Sequence, residues 1–260
     1  MFRVVIPARY ASTRFPGKPL VELGGRPLLH WVCDNARRSG ATEVCVATDD
    51  ERIAAAARAA GVDVAMTAAT HASGTDRIAE AAAQAGWGPR EIIVNLQGDE
   101  PLLPPVLVSQ VASLLEQHPD ADIATLATPV TSVEEYLDPN AVKLVAAPDG
   151  RALYFSRAPI PWHRDGAVPG APPSFAGARR HVGLYAYRVG ALRRLAALPV
   201  AALEEAEKLE QLRALANGFE IRIADALERP GQDINTPADL QRAAAQLHAR
   251  GGAAAAGAAD

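Results

Sequence analysis

Between residues 2 and 130, short apolar runs alternate with helix-like segments, and this alternation confines the chain to one class of fold. The runs are residues 2–6 (FRVVI), 43–48 (EVCVAT), 62–66 (VDVAM), 92–96 (IIVNL) and 123–130 (IATLATPV). Residues 92–96 are apolar on both faces, as a strand in the middle of a covered sheet should be. Helical patterns fill the gaps: residues 27 to about 40, a segment opened by Asp49 and Asp50 and stopped at Gly61, a segment from Thr70 whose helix start falls at residues 73–76, and residues 104–117. Asp49 and Asp50 suit helix capping. Strands separated by helices pair in parallel through right-handed crossovers. The expectation is an α/β fold with a mostly parallel sheet covered by helices on both faces. With 260 residues, 49% of them apolar, the chain suits one large domain or a domain with a small appendage.

After residue 130 the pattern changes. Residues 142–157 (VKLVAAPDGRALYFSR) read as a hairpin around Pro148-Asp149-Gly150. A Pro/Gly-rich stretch, residues 158–177, has no periodicity, and residues 180–188 (RHVGLYAYR) read as another strand. We expect one domain over residues 1–250 with an antiparallel insert over 131–190. Phe155, Ile160, Trp162 and Phe175 make that insert the expected place of a subunit contact. Residues 203–218 (LEEAEKLEQLRALANG) read as one amphipathic helix stopped by Gly218, and residues 219–224 as a late strand. Thr236 and Pro237 suit the cap and first residue of a last helix. The tail, residues 251–260, is low in complexity and expected to be disordered.

Chemistry is suggested where the strands end. The first strand breaks at Pro7 into a loop carrying Arg9, Arg14 and Lys18 and closed by Pro16, Gly17 and Pro19. Such a loop can cradle phosphate, since backbone N–H groups and cations both favour an anion; a solvated basic loop has the same composition. Lys18 precedes Pro19 rather than Ser or Thr, which excludes a Walker loop, and no G-x-G-x-x-G opens a helix after the strand. Ser73, Gly74, Thr75 and Asp76 suit a helix start at the end of a strand, where α/β proteins hold ligands. The central strand runs into Gln97, Gly98, Asp99 and Glu100. A carboxylate there is placed for Mg²⁺, which takes a few carboxylate oxygens plus substrate phosphates. Asp-Glu-Pro is also good turn chemistry. Asp99 is read as the metal residue and Glu100 as part of the turn.

Taken together, IPARYASTRFPGKPL, ATDD, HASGTDR, NLQGDEP, NAVKLV, ALYFSRAPIPW, RHVGLYAYR, LEQLRAL and NTPADL resemble the 3-deoxy-manno-octulosonate (KDO) cytidylyltransferases, in order from residue 2 to about 247. The resemblance implies that CTP and KDO give CMP-KDO and pyrophosphate, for lipopolysaccharide synthesis. It also implies a three-layer sandwich of the nucleotide-diphospho-sugar transferase type, Mg²⁺ as cofactor and a homodimer. Catalytic roles carry over to Arg9, Lys18 and Asp99. Nucleotide contacts carry over to Ala8, Arg9, Lys18, Ser73, Gly74, Arg77 and Gln97. Sugar-acid contacts carry over to Arg14, Gln97, Arg157, His181, Tyr185, Glu210 and Gln211. Without the resemblance, His181 and Tyr185 are ordinary strand residues and Glu210 an exposed helix position. In the family a second aspartate ligates metal just before the Thr-Pro of the last helix. Here that position is Asn235, expected as a neutral ligand beside Asp99, with Asp233 in reserve. A cytidylyltransferase for another sugar acid, such as a sialic acid or an amino-KDO, and a nucleotide-binding module without turnover are the competing readings.

A formal net charge of −4 argues against broad nucleic-acid binding. Cys33 and Cys45 lack C-x-x-C spacing and read as free thiols in a reducing compartment. Neither a signal peptide nor a membrane-spanning run is apparent, so a cytoplasmic enzyme without membrane insertion is expected.

Overall fold

The computed structural model describes residues 1–11, 15–71, 73–164, 172–231, 233–234 and 236–256, with side chains described up to residue 247. The chain divides into two compact units. One comprises residues 1–87, 95–109 and 230–260, the other residues 88–94 and 110–229. The chain crosses between them within strand β6 (Ile92–Asn95) and helix α4 (Pro105–Gln117).

The first unit is built on three parallel strands, β1 (Phe2–Pro7), β4 (Glu43–Thr48) and β5 (Asp63–Met66). Val5 lies opposite Cys45, and Val46 opposite Val64. Val4, Val5, Ile6, Val46 and Ala47 are fully buried, so these runs are apolar because both faces are covered. The cover comes from α1 (Leu28–Arg38), α2 (Glu51–Ala59) and α3 (Gly74–Gln84). Four of their boundaries have a local cause. Asp50 caps α2 by accepting from the Arg52 N–H, while Asp49 turns elsewhere. Ser73 and Asp76 form a reciprocal capping box at α3. Gly40 and Gly61, both at positive φ, let the chain leave α1 and α2. The expected turn at residues 22–26 lies in a two-stranded ribbon, β2 (Glu22–Leu23) with β3 (Arg26–Pro27). Gly24 and Gly25 supply its two positive φ angles. α9 (Pro237–Ala256) starts at Thr236, whose side chain and backbone exchange hydrogen bonds with Asp239. It continues six residues into the tail expected to be disordered, in keeping with the helix propensity of alanine.

The second unit centres on β10 (Arg179–Arg188), antiparallel to β7 (Ile123–Pro129) along its length and to β8 (Lys143–Ala146) at its start. β11 (Ile221–Asp225) adds to β7 in parallel, and β9 (Ala152–Ser156) forms the expected hairpin with β8. The strand at 180–188 is thus part of the same sheet as β7. Helix α5 (Val133–Leu137) and helix α6 (Val189–Ala196) complete this part. Phe155 is fully buried, which corrects its expected place in a subunit contact; Trp162 remains 56% exposed. Phe175 packs against Val130, Tyr136 and Ala178.

The single helix expected over 203–218 is two. α7 (Ala202–Glu207) stops at Lys208, which adopts left-handed φ 52, and α8 (Gln211–Ala216) restarts after Glu210. Amphipathic spacing persists across such a break, so periodicity alone missed it. The two pieces are tied by a buried bidentate pair: Arg213 Nε and Nη2 donate to Glu204 at 2.8 and 2.6 Å.

Candidate active site

In the first unit the C-terminal end of β1 is a meeting point. Ala8 is buried and donates its N–H to the Ala47 carbonyl, continuing the strand pairing for one residue. Arg9, the next residue, is exposed. The loop then returns: Gly17, at φ 68, donates to the Tyr10 carbonyl at 2.9 Å, and a Cβ at Gly17 would lie 3.0 Å from the Tyr10 ring. Lys18 follows in a single turn of 3₁₀ helix, Lys18–Leu20.

Two further segments close on this point. Leu96 donates to the Val5 carbonyl, so the QGDEP turn leaves beside β1. A Cβ at Gly98 would lie 3.1 Å from the Pro7 carbonyl oxygen, and one at Gly74 would lie 3.3 Å from the Pro7 ring. Glycine is what lets the α3 start and the QGDEP turn approach the end of β1. The outcome is direct. Lys18 Nζ donates to Asp99 Oδ2 at 2.7 Å across 81 residues of sequence. Gln97 Nε2 donates to Asn95 Oδ1 at 2.9 Å.

Arg77 behaves differently from a surface arginine in a first turn. It is 3% exposed, donates from Nη1 to Thr67 Oγ1 at 2.5 Å and pairs through Nη2 with Asp49 Oδ1 at 3.3 Å. It therefore joins the ATDD and HASGTDR segments from beneath.

The segment before α9 lies along the QGDEP turn. Ile234 donates its N–H to the Asp99 carbonyl at 3.1 Å. Gly231 is pressed against Leu102, where any Cβ would collide with Leu102 Cβ and sit 2.8 Å from the carbonyl oxygen. Glu100 is 8% exposed, and its Oε2 has no hydrogen-bond partner among the described residues. Burial, then the charges of Asp233 and Asp99, push its carboxyl well above the usual range. Asp233 is exposed. Asn235 and Arg14 lie outside the described residues. Among those described, no group of three or more His, Cys, Asp or Glu side chains could hold a metal ion by itself. The donors do fit a hard cation held by one carboxylate and completed by phosphate oxygens. Asp99 is partly exposed and already attracts an ammonium.

Of the expected sugar-acid residues, Gln97 belongs to the first unit, while the second holds His181 and Tyr185 on β10, Glu210 near Tyr185, and Gln211 and Arg157 on neighbouring segments. The His181 ring meets Phe155 edge-on at 5.1 Å and tilts against Tyr185 at 5.2 Å. Burial lowers the His181 pKa to about 3, helped by the neighbouring Arg180. Burial raises the Tyr185 phenol well above its usual value, followed by the charges of Tyr187 and Glu210. Gln211 is 7% exposed, and Glu210 lies immediately before α8. Arg157 is anchored by carbonyls: Nε donates to Glu207 at 2.6 Å and Nη1 to Pro139 at 2.8 Å.

Several supporting residues were not singled out in the sequence. Glu207 accepts from Tyr154, Ser156 and the Arg157 N–H. Lys143 is fully buried and donates to the carbonyls of Asp138 and Arg157 at 2.7 and 2.8 Å. Its position inside NAVKLV, a lysine in a strand pattern, was the available signal. Glu207 offered none, because it falls on an apparently continuous helix.

The chain is similar to several known proteins. The family profile described as Cytidylyltransferase matches residues 3–223. A 3-deoxy-manno-octulosonate cytidylyltransferase of Thioalkalivibrio sulfidiphilus is 52% identical over 248 residues, covering 95% of this chain and 99% of the relative. The protein of the same name from Pseudomonas syringae is 50% identical over 95% of this chain and 98% of its own. A solved CMP:2-keto-3-deoxy-manno-octonic acid synthetase complexed with CTP superposes with TM-score 0.86 at 38% identity, over 96% of this chain and all of the other. A 4-diphosphocytidyl-2C-methyl-D-erythritol synthase from Anaerococcus prevotii, 14% identical, shares the fold at TM-score 0.61. The α/β fold with a mixed, mostly parallel sheet and helices on both sides is the one expected. The chain belongs to the cytidylyltransferase family, among its 3-deoxy-manno-octulosonate members.

Proposed function

We propose that this enzyme transfers the cytidylyl group of CTP to KDO, releasing pyrophosphate and forming CMP-KDO for lipopolysaccharide synthesis. The anomeric hydroxyl of KDO attacks the α-phosphorus. The new O–P bond forms as the bond to pyrophosphate breaks, and the hydroxyl proton passes to solvent. The enzyme's share is positioning and neutralisation of charge. The observation that carries this reading is the 2.7 Å contact between Lys18 and Asp99. It puts a cation from the PARY loop and the QGDEP carboxylate at one point beside the start of α3.

Lys18 and Arg9 bind the triphosphate and stabilise the departing pyrophosphate. Ala8, Ser73 and Gly74 hold the nucleotide with backbone and small side chains, and Arg77 fixes the loop under it. Gln97, Arg14, His181, Tyr185, Glu210 and Gln211 bind the sugar acid. Arg157 offers it only the guanidinium hydrogens not committed to carbonyls. Mg²⁺, held by Asp99 with Asn235 or Asp233 and the phosphates, would neutralise charge at the α-phosphate and lower the pKa of the attacking hydroxyl. A homodimer, supported by exposed Trp162, and a cytoplasmic location complete the proposal. Burial pushes the Cys33 and Cys45 thiols up to about 12 and about 11, which suits inert thiols in a reducing compartment. Among the described residues, no helix is long and apolar enough to cross a membrane.

The test is incubation with CTP, Mg²⁺ and KDO, sialic acid or amino-KDO in parallel, with pyrophosphate release as the readout. Fastest release with KDO is expected. Preference for another acid overturns the substrate, and no release with any of them overturns the activity.

A further inference from the structure

Thr125 stands in the middle of β7, fully buried, with three polar atoms around its hydroxyl. His181 Nε2 is 2.9 Å away, the Val182 carbonyl oxygen 3.0 Å and the Leu184 carbonyl oxygen 2.8 Å. The two carbonyls flank the point where β10 shifts register against β7: Val182 faces Leu126, and Tyr185 faces Thr125.

The donor count decides the histidine tautomer. A threonine hydroxyl has one hydrogen and two lone pairs. A carbonyl can only accept, so the hydroxyl hydrogen belongs to the carbonyls. Were it turned toward the ring, two carbonyl oxygens would face a bare oxygen at hydrogen-bonding distance inside a buried site, which is costly. Toward His181 the hydroxyl oxygen must therefore accept, and Nε2 must carry the hydrogen. A neutral imidazole has only one N–H, so Nδ1 is left as a bare lone pair. No hydrogen-bond partner for Nδ1 occurs among the described residues. Phe155 of β9 and Tyr185 of β10 hold the ring from two sides. Burial, then Arg180 on its own strand, the one charged group acting on it among the described residues, keep the ring neutral.

We propose that Thr125 locks His181 as the Nε2–H tautomer, making Nδ1 a permanent hydrogen-bond acceptor that selects a hydroxyl, and rejects the carboxylate, of the sugar acid. This rests on the reading above that β10 binds the sugar acid. Thr125 is a positioning residue, acting on substrate only through the imidazole. The consequence is directional. A ligand carboxylate facing Nδ1 would set acceptor against acceptor, so the acid group must turn away and a hydroxyl must turn in.

The test has a substrate-free arm and a kinetic arm. In the full-length protein with ¹⁵N-labelled histidine, long-range ¹H–¹⁵N NMR should find His181 as the Nε2–H tautomer, unchanged between pH 5 and 8. An Nδ1–H tautomer, or a ring that becomes charged in that range, overturns the proposal even if turnover is normal. In kinetics, Thr125→Val should raise KM for the sugar acid by about tenfold, the worth of one lost hydrogen bond, with KM for CTP unchanged. Thr125→Ser, which keeps the hydroxyl, should restore the wild-type KM. Equal KM values in Thr125→Val and wild type, or equal damage in Thr125→Ser and Thr125→Val, overturn it. Should Thr125→Val fail to fold, the wild-type NMR result and the Thr125→Ser kinetics still decide. Should the wild type release no pyrophosphate, the proposed function fails, while the NMR arm judges the tautomer independently.

Discussion

Lys18 and Asp99 each bring a charge that the other needs. Their side chains are 13% and 28% exposed, so water screens the pair in part and its contribution to stability is small. Under the proposed function its value is chemical, in marking where a phosphate would meet Lys18 and a cation would meet Asp99. Asp99→Ala should therefore cost little stability but lower turnover by about a hundredfold or more, as loss of a charge-stabilising group does. Pyrophosphate release and a melting curve check the two halves, and a near-normal rate in a folded variant contradicts the role given to Asp99. His181 yields a different prediction. Its folded pKa of about 3 lies below the ordinary 6.5, so between those values the unfolded chain binds a proton that the folded one refuses. Stability is thus fully present above pH 6.5 and is lost as pH falls toward 3, by at most about 1.4 kcal/mol per pH unit. Denaturant titrations at pH 7.5, 6 and 5 should show His181→Gln losing less stability than wild type on acidification; parallel curves would mean that the ring is not held neutral. Neither His181 nor Thr125 could be weighted from the strand pattern alone, because the bulge that converges two carbonyls on Thr125 leaves no mark on the alternation of residues.

At the scale of elements, the apolar runs, capping residues and glycine stops located β1, β4, β5, β6 and the helices between them to within about two residues. These signals are local and survive folding unchanged. The break between α7 and α8 was not legible, since it depends on contacts that Glu207 makes 50 residues away with Arg157 and on one left-handed lysine. The Glu204–Arg213 pair holds the two short helices, neither of which would persist alone. Both partners are less than 10% exposed. Arg213→Met should cost about 3–5 kcal/mol by stranding a buried carboxylate, a drop of roughly 10 °C in Tm for a chain of this size. Adding Glu204→Leu should recover most of it, because no uncompensated charge then remains. A double variant as unstable as the single would assign the loss to packing of the arginine stem instead.

For the whole molecule, a net charge of −4 says little about where anions bind; the local arrangement of cations does. Residues 8–9, 18, 73–77 and 97–99 all belong to the first compact unit, and Arg157, His181, Tyr185, Glu210 and Gln211 all belong to the second. The first set stood out locally, where strands run into loops, but its convergence did not, since 81 residues separate Lys18 from Asp99 and no periodicity links them; the second set was named only through motif context. A division of this kind predicts two separable kinetic signatures. If Glu210 and Tyr185 bind the sugar acid as proposed, Glu210→Gln and Tyr185→Phe remove hydrogen-bonding capacity there, so KM for KDO should rise by about tenfold while KM for CTP stays within about twofold. Lys18→Met removes a charge that matters most as pyrophosphate departs, so kcat should fall by about a hundredfold with a smaller effect on KM for KDO. Steady-state titration of each substrate at saturating levels of the other separates the two. If Glu210→Gln weakened CTP as strongly as KDO, the second unit would be handling the nucleotide, and the assignment of the sugar acid to β10 and α8 would have to be abandoned.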